Sequence, residues 1–434
     1  QYDGAPNRHF VYSGAIIPSI MSRFPALQSR EFRIFLLGQL ISLIGTWMQT
    51  TVQPYLAYRI TNQPFYLGLI GFASALPTLF FTLPAGVWIE RMERRKIVIA
   101  MQVVMMLQAF LLAILTLTGR IQIWHLFVLA LILGTANAIE IPARQAMMSE
   151  LVGKEGLASA IGLQSTVFNT ARVLGPSLAA PFIVLLHDSN GEGWAFFANG
   201  ISFLFVIAGL LFIHPKFVMT SKSQRGNMWQ ELREGQRYVL QNPLIVLLVF
   251  GITIFSIMGF PNIQLIPAFA KDVLQQIGDT EADVAARNSA LLSLQGVGAL
   301  IAAITITFSG QSKRKGLILI AGQLVAGGAL IGMALSRSVP LTLTMMALFG
   351  WGSVTGWGMT NTVIQLVTPA ELRGRVISNM LWASLGLAPF GNLLVGVLAQ
   401  QYGLTIPVLL GGIICLMVPL LINFFSPRIR NVLA

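Results

Sequence analysis

Long apolar runs alternate with short polar stretches along nearly the whole chain. A helix needs about 20 mostly apolar residues to cross the hydrocarbon layer of a membrane. Windows of that size fall at 32–58, 65–89, 96–118, 121–143, 157–186 and 194–214 in the first half. In the second half they fall at 243–270, 287–309, 316–336, 340–366, 373–401 and 404–426. The windows are too long for membrane strands and do not alternate with period two, so they predict helices. Pro54, Pro77, Pro84, Pro176, Pro267 and Pro389 lie inside them, which transmembrane helices tolerate because neighbouring groups satisfy the freed backbone. The expected fold class is an all-α membrane protein with twelve transmembrane helices.

The longest polar stretch, 215–242, separates two sets of six windows. The predicted segments are therefore 1–31 (cytoplasmic N-terminal segment), 32–214 (six-helix bundle), 215–242 (cytoplasmic linker), 243–426 (six-helix bundle) and 427–434 (cytoplasmic tail). Within the linker, Met228–Val239 reads either as a helix on the membrane surface or as a solvated connection. Residues 1–31 contain no apolar run between a basic start and a small-residue cleavage site, so no signal peptide is expected. The halves also resemble each other. Glu150-Leu-Val-Gly-Lys-Glu-Gly-Leu157 aligns with Gln365-Leu-Val-Thr-Pro-Ala-Glu-Leu372, and Gly38 and Pro54 match Gly251 and Pro267. Parallel six-span repeats are typical of transporters whose substrate sites lie between the halves.

Composition narrows the class further. The chain is 55% hydrophobic and only 10% charged, against roughly 25% charged in soluble domains. Its mean hydropathy is +0.73. Disorder and a soluble multidomain protein are excluded. The net charge of +12 suits either nucleic acid or an anionic membrane face, and the hydropathy favours the membrane over nucleic acid. With both ends on the cytoplasmic side, 22 of the 28 basic residues face inward, five face outward, and Arg172 is left inside a span. That split agrees with the positive-inside rule and predicts a multi-pass protein of the inner (plasma) membrane. A single cysteine, Cys415, excludes a disulfide framework and a thiolate metal cluster; no cofactor or metal is expected.

Polar side chains inside the windows mark candidate sites. Gln39, Ser42, Thr46, Gln49 and Gln53 recur at helical spacing on one face of the first span. Amides are costly in hydrocarbon, so this face looks at a wet cavity or at protein. Ser165, Asn169 and Arg172 repeat the pattern on span five. An intramembrane arginine is costly and points to function; it suits an anionic or carbonyl-rich substrate group, or else a structural partner for carbonyls at the Gly175-Pro176 bend. Asn262, Gln264, Gln295, Asn361 and Asn379 are the candidates in the second half, with Trp47, Trp351, Trp357 and Trp382 as flat apolar walls. Each of these singly is more often a packing or interface residue than a ligand contact.

Between spans two and three lies Gly86-Val-Trp-Ile-Glu90-Arg91-Met-Glu93-Arg94-Arg95-Lys96. An acid one turn after a glycine, followed by a basic cluster, allows charge pairs at the rim that hold one conformation and release it. Glu140 and Arg144 lie one turn apart near the inner end of span four, where they can face the cluster. In this loop the chain resembles the major facilitator superfamily, with Glu90 where Asp is usual and Glu93 where Gly is usual. The resemblance implies the two-half, twelve-helix major facilitator fold. It further implies that Glu90 faces the start of span eleven, near Arg373 and Arg375, and that Arg94 pairs with Glu140. Phe32-Arg33 through Gly38-Gln39, Ser42 to Gln49, Pro142 to Ala146, Asn169 to Arg172 with Gly175-Pro176, and Glu371 to Arg375 resemble the drug and siderophore exporter branch, the group similar to enterobactin and macrolide exporters. Ala171 to Ala180 is similar to the antiporter motif of exporters, with Gly175 and Pro176 kept and Ala171, Ala179 and Ala180 replacing glycines. The arginine that proton-coupled members carry on span four is absent near Ala130.

The resulting expectation is a secondary active transporter, probed by its resemblance rather than by any catalytic motif. It exports an amphipathic organic compound, siderophore or drug-like, by alternating access, with proton antiport left open. A lipid or lysolipid transporter of the same fold and a non-transporting receptor are the alternatives. The expected partners are a small-molecule or lipid-like substrate, the bilayer and, under antiport, protons, with the chain acting as a monomer. No HExxH, Walker or Ser–His pattern supports an enzyme or a nucleotide-driven pump.

Overall fold

The computed structural model describes residues 24–186, 190–213, 228–309, 312, 314–369 and 371–425; the side chains of 82–91, 154, 228–232 and 425 are not described. Twelve of its helices are long and apolar enough to cross a membrane. They are α1 (Arg30–Thr61), α2 (Pro64–Arg91), α3 (Arg94–Leu117), α4 (Ile123–Gly153), α5 (Glu155–Leu185) and α6 (Gly191–Phe212) in the first half. A surface helix, α7 (Met228–Gln241), precedes α8 (Pro243–Val273), α9 (Glu281–Phe308), α10 (Lys315–Leu335), α11 (Val339–Val367), α12 (Arg373–Tyr402) and α13 (Thr405–Phe425).

Local chemistry sets several ends. Ser29 caps α1 by accepting from the Phe32 amide at 3.2 Å, satisfying one of the orphan donors of the first turn. Asn62 stops the same helix in the left-handed region, at φ 51°, a conformation asparagine adopts more readily than most residues. Thr280 and Asp283 form a capping box at the start of α9. Pro243 fits the first position of α8, where its missing N–H costs nothing. Further along, Pro261 and Pro267 accompany a change of helical type: α8 tightens to a 3-10 helix at Phe260–Leu265 and widens to a π-turn at Phe269–Val273.

The spans fall where the hydrophobic windows predict, with one clear difference. Span four does not stop near 143 but continues past Pro142 to Gly153, and α5 follows with only a kink. Gly153 has φ 66° and ψ −176°, a region that essentially only glycine occupies. The extension persists because Ala143, Met147 and Met148 are buried in a cluster with Ala26, Phe32 and Phe35. Packing on the neighbouring elements thus keeps as helix what the sequence suggests is a loop. Met228–Gln241 is helical, and Arg375 at the start of α12 pairs with its Glu234.

Each set of six helices packs mainly within itself. The first half is joined internally by amides. Gln49 donates to Gln53 at 3.2 Å and to Gln108 at 3.1 Å, and accepts from Asn199 at 2.7 Å. Gln53 donates to the Leu126 carbonyl at 3.2 Å. These bonds connect α1, α3, α4 and α6. The halves meet along two seams, α2 against α12 and α5 against α9. At the face opposite the linker, Tyr58 donates to Asp272, Lys271 donates to Asn62 at 3.0 Å, and Tyr55 donates to the Glu281 carbonyl at 3.3 Å. All three bonds cross between halves and close that face.

Candidate functional site

Between the halves lies a cavity of about 600 Å³, within the range that holds a drug-sized ligand. Its first-half wall comes from α1 (Trp47, Thr50, Thr51, Pro54) and α5 (Phe168, Arg172, Pro176). Phe168, Arg172 and Pro176 are four residues apart and so share one helical face. The second-half wall comes from the irregular stretch of α8, including Phe260, Pro261 and Gln264, and from α9 (Leu292, Gln295), α11 (Val354, Trp357) and α12 (Leu385, Ala388, Asn392).

The charge in this cavity is Arg172. Its Nε donates to Gln295 Oε1 at 3.2 Å, across the α5–α9 seam. Its guanidinium carbon lies 5.5 Å from the Trp47 ring centroid, within cation–π range. Trp47 in turn packs edge-on against Phe168, with centroids 5.5 Å apart. Phe260 and Trp357 form a second edge-on pair at 6.1 Å on the far wall. Among the described residues, no carboxylate lines the cavity or forms an ion pair with Arg172. The Nε2 of Gln295 is buried without an acceptor.

The structure brings together only some of the predicted residues. Trp47, Arg172, Gln264 and Gln295 line the cavity, as does Pro176 of the antiporter-like motif. Gly175 turns instead toward the backbone of Trp47 and Met48; a side chain there would push α1 away from α5. Gln39, Gln49 and Gln53 are corrected: all three are buried within the first half, and Gln49 and Gln53 belong to its amide network. At Gln49 and Gln53 the polar face of the first span looks at protein, because α3, α4 and α6 supply partners there; Gln39 is buried with its Nε2 unpartnered. Thr46 donates to its own helix at the Ser42 carbonyl. Asn169 likewise donates to the Ser165 carbonyl, at 2.9 Å, and Ser165 is exposed.

In the second half, Asn262 is turned onto the Met258 and Gly259 carbonyls, where α8 changes type. Asn361 accepts from Gln365, and Asn379 donates to the Arg375 carbonyl; neither lines the cavity. Trp382 is 49% exposed and also lies off the cavity lining. Trp351 donates to Thr305 at 3.1 Å. Sequence reasoning missed Phe168, Phe260 and Asn392. The one readable signal was the four-residue spacing from Phe168 to Arg172.

The rim charges also pair differently from what the resemblance implies. Arg94 pairs with Glu150, not with Glu140. Glu140 is held by Arg144 at 2.9 Å and by Gln102 at 3.2 Å, all buried. The reason is the length of α4. Its extension to Gly153 carries Glu150 to the level of Arg94, while Glu140 lies ten residues back, about 15 Å along the helix. Arg95 donates to the Leu210 and Leu211 carbonyls at the end of α6, at 2.7 and 2.9 Å, where a cation suits the helix dipole. Arg375 pairs with Glu234, and Arg373 donates to the Thr368 carbonyl at 3.1 Å. The side chains of Glu90 and Arg91 lie outside the described residues, and Gly86 falls in the same stretch.

The twelve-span, two-half architecture around a central cavity defines a transporter of the major facilitator class. The chain belongs to the transmembrane secretion effector family of that superfamily, whose model matches residues 21–432. It is 23% identical over 425 residues to the multidrug efflux pump Tap of Mycolicibacterium fortuitum, covering 92% of this chain and 96% of that protein. It is 23% identical over 369 residues to the enterobactin exporter EntS of Escherichia coli O1:K1, covering 84% and 83%. Among solved structures, a bacterial homolog of the human lysosomal transporter Spinster, inward-facing and unoccupied, shares the fold. The TM-score is 0.71 at 16% identity, with 92% of this chain and 98% of that one covered. The chain is a multi-pass membrane transporter of small molecules and not an enzyme.

Proposed function

We propose that this transporter exports an amphipathic organic compound, siderophore-like or drug-like, by alternating access through the central cavity. The observation that carries the reading is a cavity of mixed aromatic and polar lining between the halves, with Arg172 inside it and hydrogen bonds between the halves closing the face opposite the linker. The relatives named for efflux and siderophore export support the substrate class. The excess of basic residues on the linker side supports a plasma-membrane chain with both termini in the cytoplasm. On that orientation the cavity is closed to the outside. Opening requires the distal bonds to break and the rim pairs on the linker side to rearrange as the halves rock.

Coupling is proposed as proton antiport through a group away from the cavity. Glu140, buried and held by Arg144 and Gln102, is the candidate. The test uses inverted vesicles in which the chain takes up a siderophore-class or macrolide-class compound. Uptake should follow the proton gradient, collapse with a protonophore and fall at least tenfold in Arg172→Ala. Uptake that ignores the protonophore overturns antiport; transport unchanged in Arg172→Ala overturns the assignment of the cavity.

A further inference from the structure

We propose that the cavity selects an amphipathic organic anion, whose charged oxygen docks between the Arg172 guanidinium and the Gln295 amide and, in docking, takes Arg172 from Gln295 and loosens the α5–α9 seam. This rests on the reading of the cavity as the substrate site and adds the charge of the cargo and the residue pair that senses it.

Donors outnumber acceptors at this point of the cavity. Arg172 has Gln295 Oε1 and the face of Trp47 as partners. Gln295 is 3% exposed, and its Nε2 has no acceptor. A buried donor without an acceptor is costly, and so is a guanidinium facing only neutral groups in a weakly polar setting. A carboxylate, phenolate or phosphate oxygen answers both at once: it forms charge-assisted bonds with the guanidinium and accepts from the amide. A neutral carbonyl answers only part of this, and a cation is repelled. The remaining walls suit the rest of such a molecule, since Phe260 and Trp357 offer a flat apolar surface across the cavity.

The same pair lies where the halves touch. Arg172 belongs to α5 and Gln295 to α9. Next to them, a Cβ at Gly296 would come within 2.8 Å of the Arg172 carbonyl oxygen, so the two backbones are in close contact. One turn along, Ser177 and Ser293 share a hydrogen bond of 2.9 Å. An anion that binds Arg172 competes directly with a bond holding this seam. Binding then favours the conformation in which the seam is looser, which is the differential affinity that a cargo-driven change requires.

The test uses the full chain in phosphatidylcholine nanodiscs and equilibrium dialysis with three matched probes: biphenyl-4-carboxylate, its methyl ester and biphenyl-4-methylamine. The carboxylate should bind about tenfold or more tightly than the ester, with the amine weakest. Arg172→Gln should erase that preference, and Arg172→Lys should keep it in weaker form. Gln295→Glu gives Arg172 a competing carboxylate across the seam, so it should lose the carboxylate probe and raise the melting temperature. Gln295→Ala should lower the melting temperature and weaken the carboxylate only modestly, because it removes one donor to the anion while leaving Arg172 free to bind it. A purely structural Gln295 would weaken binding alike in both variants.

Equal binding of ester and carboxylate, a preference that survives Arg172→Gln, or carboxylate binding unchanged in Gln295→Glu overturns the proposal. Phe260→Ala and Trp357→Ala separate it from the underlying reading. If they weaken all three probes while charge makes no difference, the cavity stands and the anion fails. If they weaken none, or no probe binds saturably, both fail. Phosphatidylglycerol in the nanodiscs supplies the alternative source of the anion. Displacement of the carboxylate by this lipid, dependent on Arg172, overturns a free small-molecule cargo and assigns the anion to a lipid headgroup.

Discussion

At the scale of single residues, the same side-chain type serves opposite ends depending on its neighbours. Gln49 and Gln295 are both buried intramembrane amides. Gln49 is paired on both ends by Gln53, Gln108 and Asn199, and its role is to hold the first half together. Gln295 keeps a free donor at the edge of the cavity. Replacing Gln49 by Leu strands the partner groups, which costs about 1–3 kcal/mol. The expected outcome is a clear fall in melting temperature with unchanged probe affinity. The sequence marked both amides as candidates, because hydropathy registers the cost of an amide in hydrocarbon and not the partner that offsets it.

At the scale of elements, helix ends and kinks were the least legible feature. The window for span four stopped ten residues short of Gly153, and that extension changes which acid meets Arg94. Gly153→Ala places a Cβ in a backbone region that only glycine tolerates, at a cost of about 1–3 kcal/mol; faster hydrogen exchange across 146–160 is the expected readout. The loop before α9 offers a pH-dependent counterpart. The Gln276 amide first, and the Arg287 side chain next, hold the Asp279 carboxyl below the usual aspartate range. A lowered folded pKa contributes stability above the ordinary aspartate pKa of about 4 and loses it as pH falls through the folded value. Exchange protection at the start of α9 should therefore drop below about pH 4, and Asp279→Asn should reduce that pH dependence, leaving the part contributed by protonation of the Asp283 cap. A drop unchanged in the variant contradicts the assignment.

At the scale of the whole molecule, few polar bonds among the described residues join the two halves, which suits the rocking proposed above. Tyr58→Phe removes the bond to Asp272 that helps close the distal face. Faster exchange in 55–61 and 266–273 is expected, with the interior of the first half unaffected. Ser177 and Ser293 provide the complementary experiment, because their oxygens are 2.9 Å apart across the seam. Cysteines placed at both positions in a Cys415→Ser background should crosslink on oxidation. Transport should stop and return with reductant; continued transport by the crosslinked protein would show that this seam does not move.

The family rests on the resemblance of particular motifs; the sequence by itself determined the number of spans and the placing of Arg172 inside one. These follow from local quantities: an apolar run must be about 20 residues long to cross, and an unscreened charge inside one is costly wherever the helix packs. Tertiary structure alone decided which polar residues face the cavity. Polar faces on α1 and α5 have the same helical period, yet the first is covered by α3, α4 and α6 while Phe168 and Arg172 on the second border the space between halves. Periodicity fixes which residues share a face, but the neighbour opposite that face comes from another part of the chain.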